Sequence, residues 1–206
     1  MAYSQFTTLK AVKKQLSVSV SIGAALPAFE PLEPSDWLVQ TMKITMARKI
    51  AYFSEKSRSE ALVFPVLMEL NARNQGAFAL YSGAVMDADR EKGLNGECDF
   101  ILGLGKQNLE LEAPVFCIVE AKDNDLDLGT PQCIAQMVGA RTINEQDGLQ
   151  LPAIYGAVTT GDTWAFLRLD GAAVTIEERP FYLAKTADLL GALQAIIDDC
   201  TGKIAR

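Results

Sequence analysis

The chain contains no histidine. That removes Ser-His and Cys-His nucleophile pairs, histidine general bases and histidine metal ligands in one stroke. Any hydrolytic chemistry is left to carboxylates, lysine, tyrosine, serine or a bound metal. Cysteine is scarce too: four residues, at 98, 117, 133 and 200, with no C-x-x-C pair among them. They lack the clustering of a zinc site, and they read as small reduced core residues. No apolar run reaches the ~18 residues of a membrane span. The longest candidate, 16–29, is interrupted by Ser17, Ser19, Ser21 and Pro27. A secretory leader pattern is also missing, so the expectation is a cytoplasmic protein with no membrane partner. Internal repeats and low-complexity tracts are absent. So are a phosphate loop and a G-x-S-x-G elbow: Gly103-Leu104-Gly105-Lys106 has the wrong spacing for the former.

What is present fits a folded globule. The 206 residues are 49% hydrophobic, enough for a substantial core in one domain. Net charge is −7, which argues against a surface coated for nucleic acid, but it is uneven. Residues 1–60 carry +3 and the remainder −10. Lys10, Lys13, Lys14, Lys43, Arg48, Lys49, Lys56 and Arg58 therefore form either a basic patch or the solvated faces of helices.

Local signals order the elements. Thr7 or Thr8 caps a short helix to about Leu16, and the alternation over 17–22 predicts a strand. Pro27, Pro31 and Pro34 mark a loop. Ser35 starts a helix to about Tyr52, with Asp36 near its positive end. Ser57-Arg58-Ser59-Glu60 fits a capping box for a helix to about Asn71, kinked or restarted at Pro65. Strands are expected over 76–86, 97–104 and 115–121, with a turn at 93–96. The uninterrupted run Val115–Val119 implies a central strand covered on both faces. Thr130-Pro131 predicts a helix start, and that helix runs to about Asn144. Strands at 152–159 and 163–169, an extra strand near 174–178 and a helix over 187–200 follow. A helical crossover between the strands at 115 and 152 favours parallel pairing. The fold class is α/β: a mixed sheet between helices.

The charged residues fall at informative places. Asp99 lies on one apolar strand. Glu120 and Lys122 close the next, two apart and so on one face. If those strands form a hairpin, Asp99 can meet them. Two hard carboxylates suit Mg2+ or Mn2+. Glu60 lies on the preceding helix, and Gln132 and Gln136 sit four apart on one face of the following one. Asp123, Asp125 and Asp127 read as a polar loop.

A helix with an early Glu, a strand, an Asp-bearing strand, a Glu-x-Lys strand, a helix with Gln and a further strand together resemble the PD-(D/E)xK nuclease superfamily. The resemblance covers residues 57–169, a restriction-endonuclease-like core of α-β-β-β-α-β order. Residues 1–56 would be an N-terminal extension and 170–206 a C-terminal strand and helix. It departs from the motif in placing Cys98, not proline, before Asp99. It implies metal ligation by Asp99, Glu120 and Glu60, catalysis by Asp99, Glu120 and Lys122, and an accessory role for Gln132 and Gln136. The implied activity is Mg2+- or Mn2+-dependent hydrolysis of DNA. The alternative is a catalytically inactive binding or regulatory module on the same fold. A homodimer through the apolar N-terminal segment is a further expectation.

Overall fold

The structure is a computed structural model that describes residues 2–112, 114–122 and 126–204, with backbone only for the last two. Its centre is one mixed sheet. The strands are β1 (Ser19–Gly23), β2 (Phe78–Asp89), β3 (Leu94–Leu104), β4 (Val115–Ala121), β5 (Ile154–Thr159), β6 (Thr163–Asp170), β7 (Ala173–Glu177) and β8 (Phe181–Tyr182). The spatial order is β1-β7-β6-β5-β4-β3-β2, with β8 added to β6. β2, β3 and β4 form an antiparallel meander. β4 and β5 pair in parallel, as a helical crossover requires. β4 is buried along its whole length, matching its continuous apolar run.

Helices cover both faces. One core cluster joins α2 (Asp36–Ala47), α4 (Phe64–Arg73) and α6 (Thr186–Ile204) to Phe100, Phe116, Val119 and Trp164 of the sheet. The other joins α1 (Leu9–Gln15) and α5 (Leu126–Gln146) to Ile101, Ile118, Val158 and Leu167. The eight N-terminal cations therefore do not form one patch. Those of α1 lie on the α5 side of the sheet and the others on the α2–α4 side.

Several boundaries differ from expectation. Ser35 does cap α2, accepting from the Leu38 amide at 3.3 Å. The helix ends at Ala47, however, because Lys49 turns into the left-handed region with φ 55°, a common helix-ending conformation. The capping box is not Ser57–Glu60. It lies three residues earlier, where Ser54 and Ser57 bond each other's amides at 3.1 and 2.8 Å and open α3 (Glu55–Arg58). Ser57 carries the same hydroxyl as Ser54 but sits at the third helical position, where it closes the box rather than opening it. A π turn at Ser59–Val63 follows, and α4 restarts at Phe64 with Pro65 in its first turn. That is the expected break: proline cannot donate to the helix ladder, and the wide turn absorbs the lost bond.

Thr130-Pro131 is also not a helix start. α5 runs from Leu126 through Pro131, and the Thr130 hydroxyl donates back to the Leu126 carbonyl at 2.8 Å rather than capping a helix start. Asp127 is thereby in a helix rather than a loop, whereas Asp123 and Asp125 lie outside the described residues. The turn expected at 93–96 sits at 90–93, and Gly96 belongs to β3. The strand expected over 17–22 is β1, and it extends the sheet by pairing in parallel with β7, so the N-terminal extension, expected to be mainly helical, also contributes to the sheet.

Candidate functional site

The ends of β4 and β5, the middle of β3 and the start of α5 meet in one place. Antiparallel pairing sets Phe100 opposite Val119. This brings the Asp99 carboxylate to the Ala121 amide, which donates to its Oδ2 at 2.7 Å. Strand alternation turns Glu120 and Lys122 to the α5 side. The Lys122 ammonium lies 2.7 Å from Glu120 Oε1. Gln136 of α5 donates from Nε2 to Glu120 Oε2 at 2.8 Å. The Gln136 amide is fully buried and its own Oε1 has no partner among the described residues.

Glu120 is 2% exposed. Burial, then the nearby negative charge of Asp99, pushes its pKa up to about 7, against the opposing pull of Lys122. Asp99 is raised as well, chiefly by burial, with its hydrogen bond to Ala121 and the Lys122 charge opposing. Burial pulls Lys122 down, but the Glu120 carboxylate beside it more than compensates, so its pKa is raised and it stays an ammonium. Two strained carboxylates and a fixed cation at a strand end form the kind of perturbed cluster that functional sites concentrate.

Close packing holds this geometry. A Cβ on Gly129, in the first turn of α5, would stand 2.6 Å from Val158 Cγ1 and 2.9 Å from Lys122 Cγ. Only glycine lets the helix come down on the lysine stem. The Lys122 amide in turn donates to the Thr159 carbonyl at 2.7 Å, so β5 anchors the backbone of the residue.

Asp99 also faces a cleft of about 310 Å³ lined by Glu55, Lys56, Ser59, Glu60, Ser82, Gly83 and Glu97. Glu60 is on this cleft, but its side chain is 68% exposed and it pairs with Lys56 at 3.8 Å. Glu55 acts electrostatically on both Asp99 and Lys122, so the helix acid with the stronger influence is Glu55. Glu55 and Glu97 are additions to the expected set. Glu97 was legible by strand period, two residues before Asp99. Glu55 was hidden by the misplaced capping box. Of the two glutamines, Gln136 joins the site, whereas Gln132 is half-buried and its side chain makes no hydrogen bond among the described residues. Glu69 faces elsewhere. Buried, it binds Arg73 at 2.6 Å and the Ser35 amide and hydroxyl at 2.9 and 2.6 Å, tying α4 to the cap of α2.

The donor chemistry fits a hard divalent cation. Asp99 Oδ1 accepts no hydrogen bond among the described residues, whereas each Glu120 oxygen already has one partner, Oε1 the Lys122 ammonium and Oε2 the Gln136 amide. Groups of three or more acidic, cysteine or histidine ligands converging on one point do not occur among the described residues.

The fold and site define an α/β protein with a mixed eight-stranded sheet and an acid–acid–lysine cluster at the end of its central strand. No protein-family model matches the chain, and a search of curated proteins finds no match.

Proposed function

We propose that the protein is a Mg2+- or Mn2+-dependent hydrolase of DNA phosphodiesters, built on a restriction-endonuclease-like core. The observation that carries this reading is the convergence of Asp99, Glu120 and Lys122 at the strand ends, with Gln136 fixing Glu120 from the following helix. The order α4-β2-β3-β4-α5-β5 supports the same reading.

Asp99 and Glu120 would hold the ion. When bound, it supplies Lewis-acid relief of phosphate charge and an acidified water. The chain's residues do the rest. Gln136 fixes the orientation of the Glu120 carboxylate, and the Ala121 amide fixes that of Asp99. Lys122, kept protonated by Glu120, donates to a non-bridging phosphate oxygen as charge builds there. It is a charge donor and not a general base. The water oxygen bonds to phosphorus, the ester P–O bond breaks, the water's proton leaves to solvent through the open cleft, and the departing alkoxide takes up a proton.

The test is incubation of the full chain with single-stranded, duplex and branched DNA in Mg2+, Mn2+ or EDTA. Metal-dependent cleavage that falls about 10²–10³-fold in Lys122→Met supports the reading. Calorimetry should show Mg2+ binding that Asp99→Asn abolishes. An absence of both binding and cleavage sinks it and leaves a non-catalytic module on the same fold.

A further inference from the structure

Trp164, Tyr155 and Tyr81 are buried in the core, whereas Trp37 on α2 is 53% exposed. Two further rings face solvent. Phe53 is 93% exposed and Tyr52 50%, in the connection between α2 and α3. This connection leads straight into the wall of the cleft formed by Glu55, Lys56, Ser59 and Glu60. The Arg58 guanidinium lies 5.5 Å over the Tyr52 ring and pairs with Asp162 at 3.2 Å. That docks the segment on the β5–β6 turn, next to the strand end that carries Lys122. Residues 43–58 hold five cations and one acid, in a chain of net charge −7. Arg48, Lys49 and Lys56 are exposed, and Lys49 is presented by a left-handed backbone that a side chain rarely adopts.

We propose that the segment 48–56 is a lip that holds a single-stranded stretch of DNA beside the acidic cleft, stacking bases on Phe53 and Tyr52 and meeting phosphates with Arg48, Lys49 and Lys56. The inference rests on the hydrolytic reading above. Charge complementarity selects this occupant. The cleft carries Glu55, Glu60, Glu97 and Asp99 and repels a polyanion, and Lys56, its one cation among the described lining residues, lies three residues beyond Phe53 in the segment that also holds Arg48 and Lys49. Aromatic rings between cations are the surface on which single strands bind. A duplex has no free base face to offer to Phe53, so the lip discriminates by strand state. A second copy of the chain is a poor occupant, because a symmetric contact would set this positive segment against itself.

Fluorescence anisotropy of the full chain with a labelled oligothymidylate, in EDTA so that nothing is cut, reads the lip directly. Binding should weaken about tenfold in Phe53→Ala and persist in Phe53→Trp. Lys49→Glu should flatten the dependence of log affinity on log salt by about 0.7. Circular dichroism and thermal melting verify that the variants are folded, which the exposure of both side chains favours. The lip is overturned by undetectable binding, by equal or tighter binding of the duplex or the ribo-oligonucleotide, or by indifference to both Phe53→Ala and Tyr52→Ala. A concentration-dependent doubling of mass that Phe53→Ala abolishes also overturns it. Oligonucleotide binding without metal-dependent cleavage would sink the hydrolase and leave the lip. Cleavage unaffected by the lip variants would do the reverse.

Discussion

Glu120 carries a cost that its neighbours only partly offset. Its carboxyl is held at about 7 in the folded protein, well above its ordinary value, so the native state binds the extra proton. Stability linked to this group is therefore fully present at acid pH, below the ordinary carboxylate range, and is lost as pH rises through 7. Glu120→Gln removes the titration, and its flipped amide can bond the unpartnered Gln136 oxygen. The melting temperature of this variant relative to wild type should be higher at pH 8 than at pH 5, by thermal denaturation at both values. A gain independent of pH would show that Glu120 does not titrate in this range. The same group sets the pH dependence of the proposed chemistry. Below about 7 Glu120 is protonated and a poor ligand, so Mg2+ affinity and cleavage should fall about tenfold per pH unit on the acid side. A pH–rate profile in saturating DNA and subsaturating Mg2+ measures this. At the level of single residues the sequence marked Asp99, Glu120 and Lys122 by strand period and Gln132 and Gln136 together by helix period, which cannot choose between the two glutamines. It missed Glu55, whose place depends on where the helix begins.

The elements decide how tightly the site is held. α5 lies against β4 and β5 with Gly129 over the Lys122 stem. In Gly129→Ala the new methyl must displace Lys122 or Val158. Overpacking of this kind costs about 1–3 kcal/mol, offset by about 1 kcal/mol of better helix propensity. The expected outcome is a modest loss of thermal stability with a larger loss of metal-dependent cleavage, since Lys122 is the group displaced. Equal losses would indicate only general loosening. The boundaries of these elements were the least legible part of the sequence. Ser54, Ser57 and Thr130 all carry hydroxyls suited to a cap, and three-dimensional packing chose among them. Thr130 bonds backwards within α5, so the helix extends a full turn before Pro131. Pro65, by contrast, announced the break it causes, since no arrangement gives proline an amide hydrogen.

In the whole molecule, the N-terminal segment is part of the fold rather than an appendage to it. Tyr3, Phe6, Val12, Leu16 and Val18 are buried against α5 and the sheet. β1 covers the edge of β7, and Glu177 accepts from the amides of Ala25 and Leu26 at 2.8 and 3.3 Å. Full burial of a large apolar side chain is worth about 1.5–3 kcal/mol, so five amount to roughly 10 kcal/mol, comparable to the total stability of a typical domain. Truncation at Pro34 should therefore give an aggregating or unfolded product, detected by light scattering and circular dichroism. A folded, soluble truncation would show that the edge strand is dispensable. No helix among the described residues is long and apolar enough to cross a membrane.

The sequence by itself determined the α/β class, the meander followed by a parallel crossover, the central place of the strand 115–121 and the acid–acid–lysine set. Those follow from periodicity, run length and the absence of histidine, which are local properties of the chain. Only the tertiary structure decided that Glu55 and Glu97 join the cleft, that the basic residues of α1 and α2 part to opposite sides of the sheet, and that Phe53 and Tyr52 face solvent beside the site. Each of these depends on how separate elements dock, and docking is set by packing between residues far apart in sequence, which local pattern does not encode.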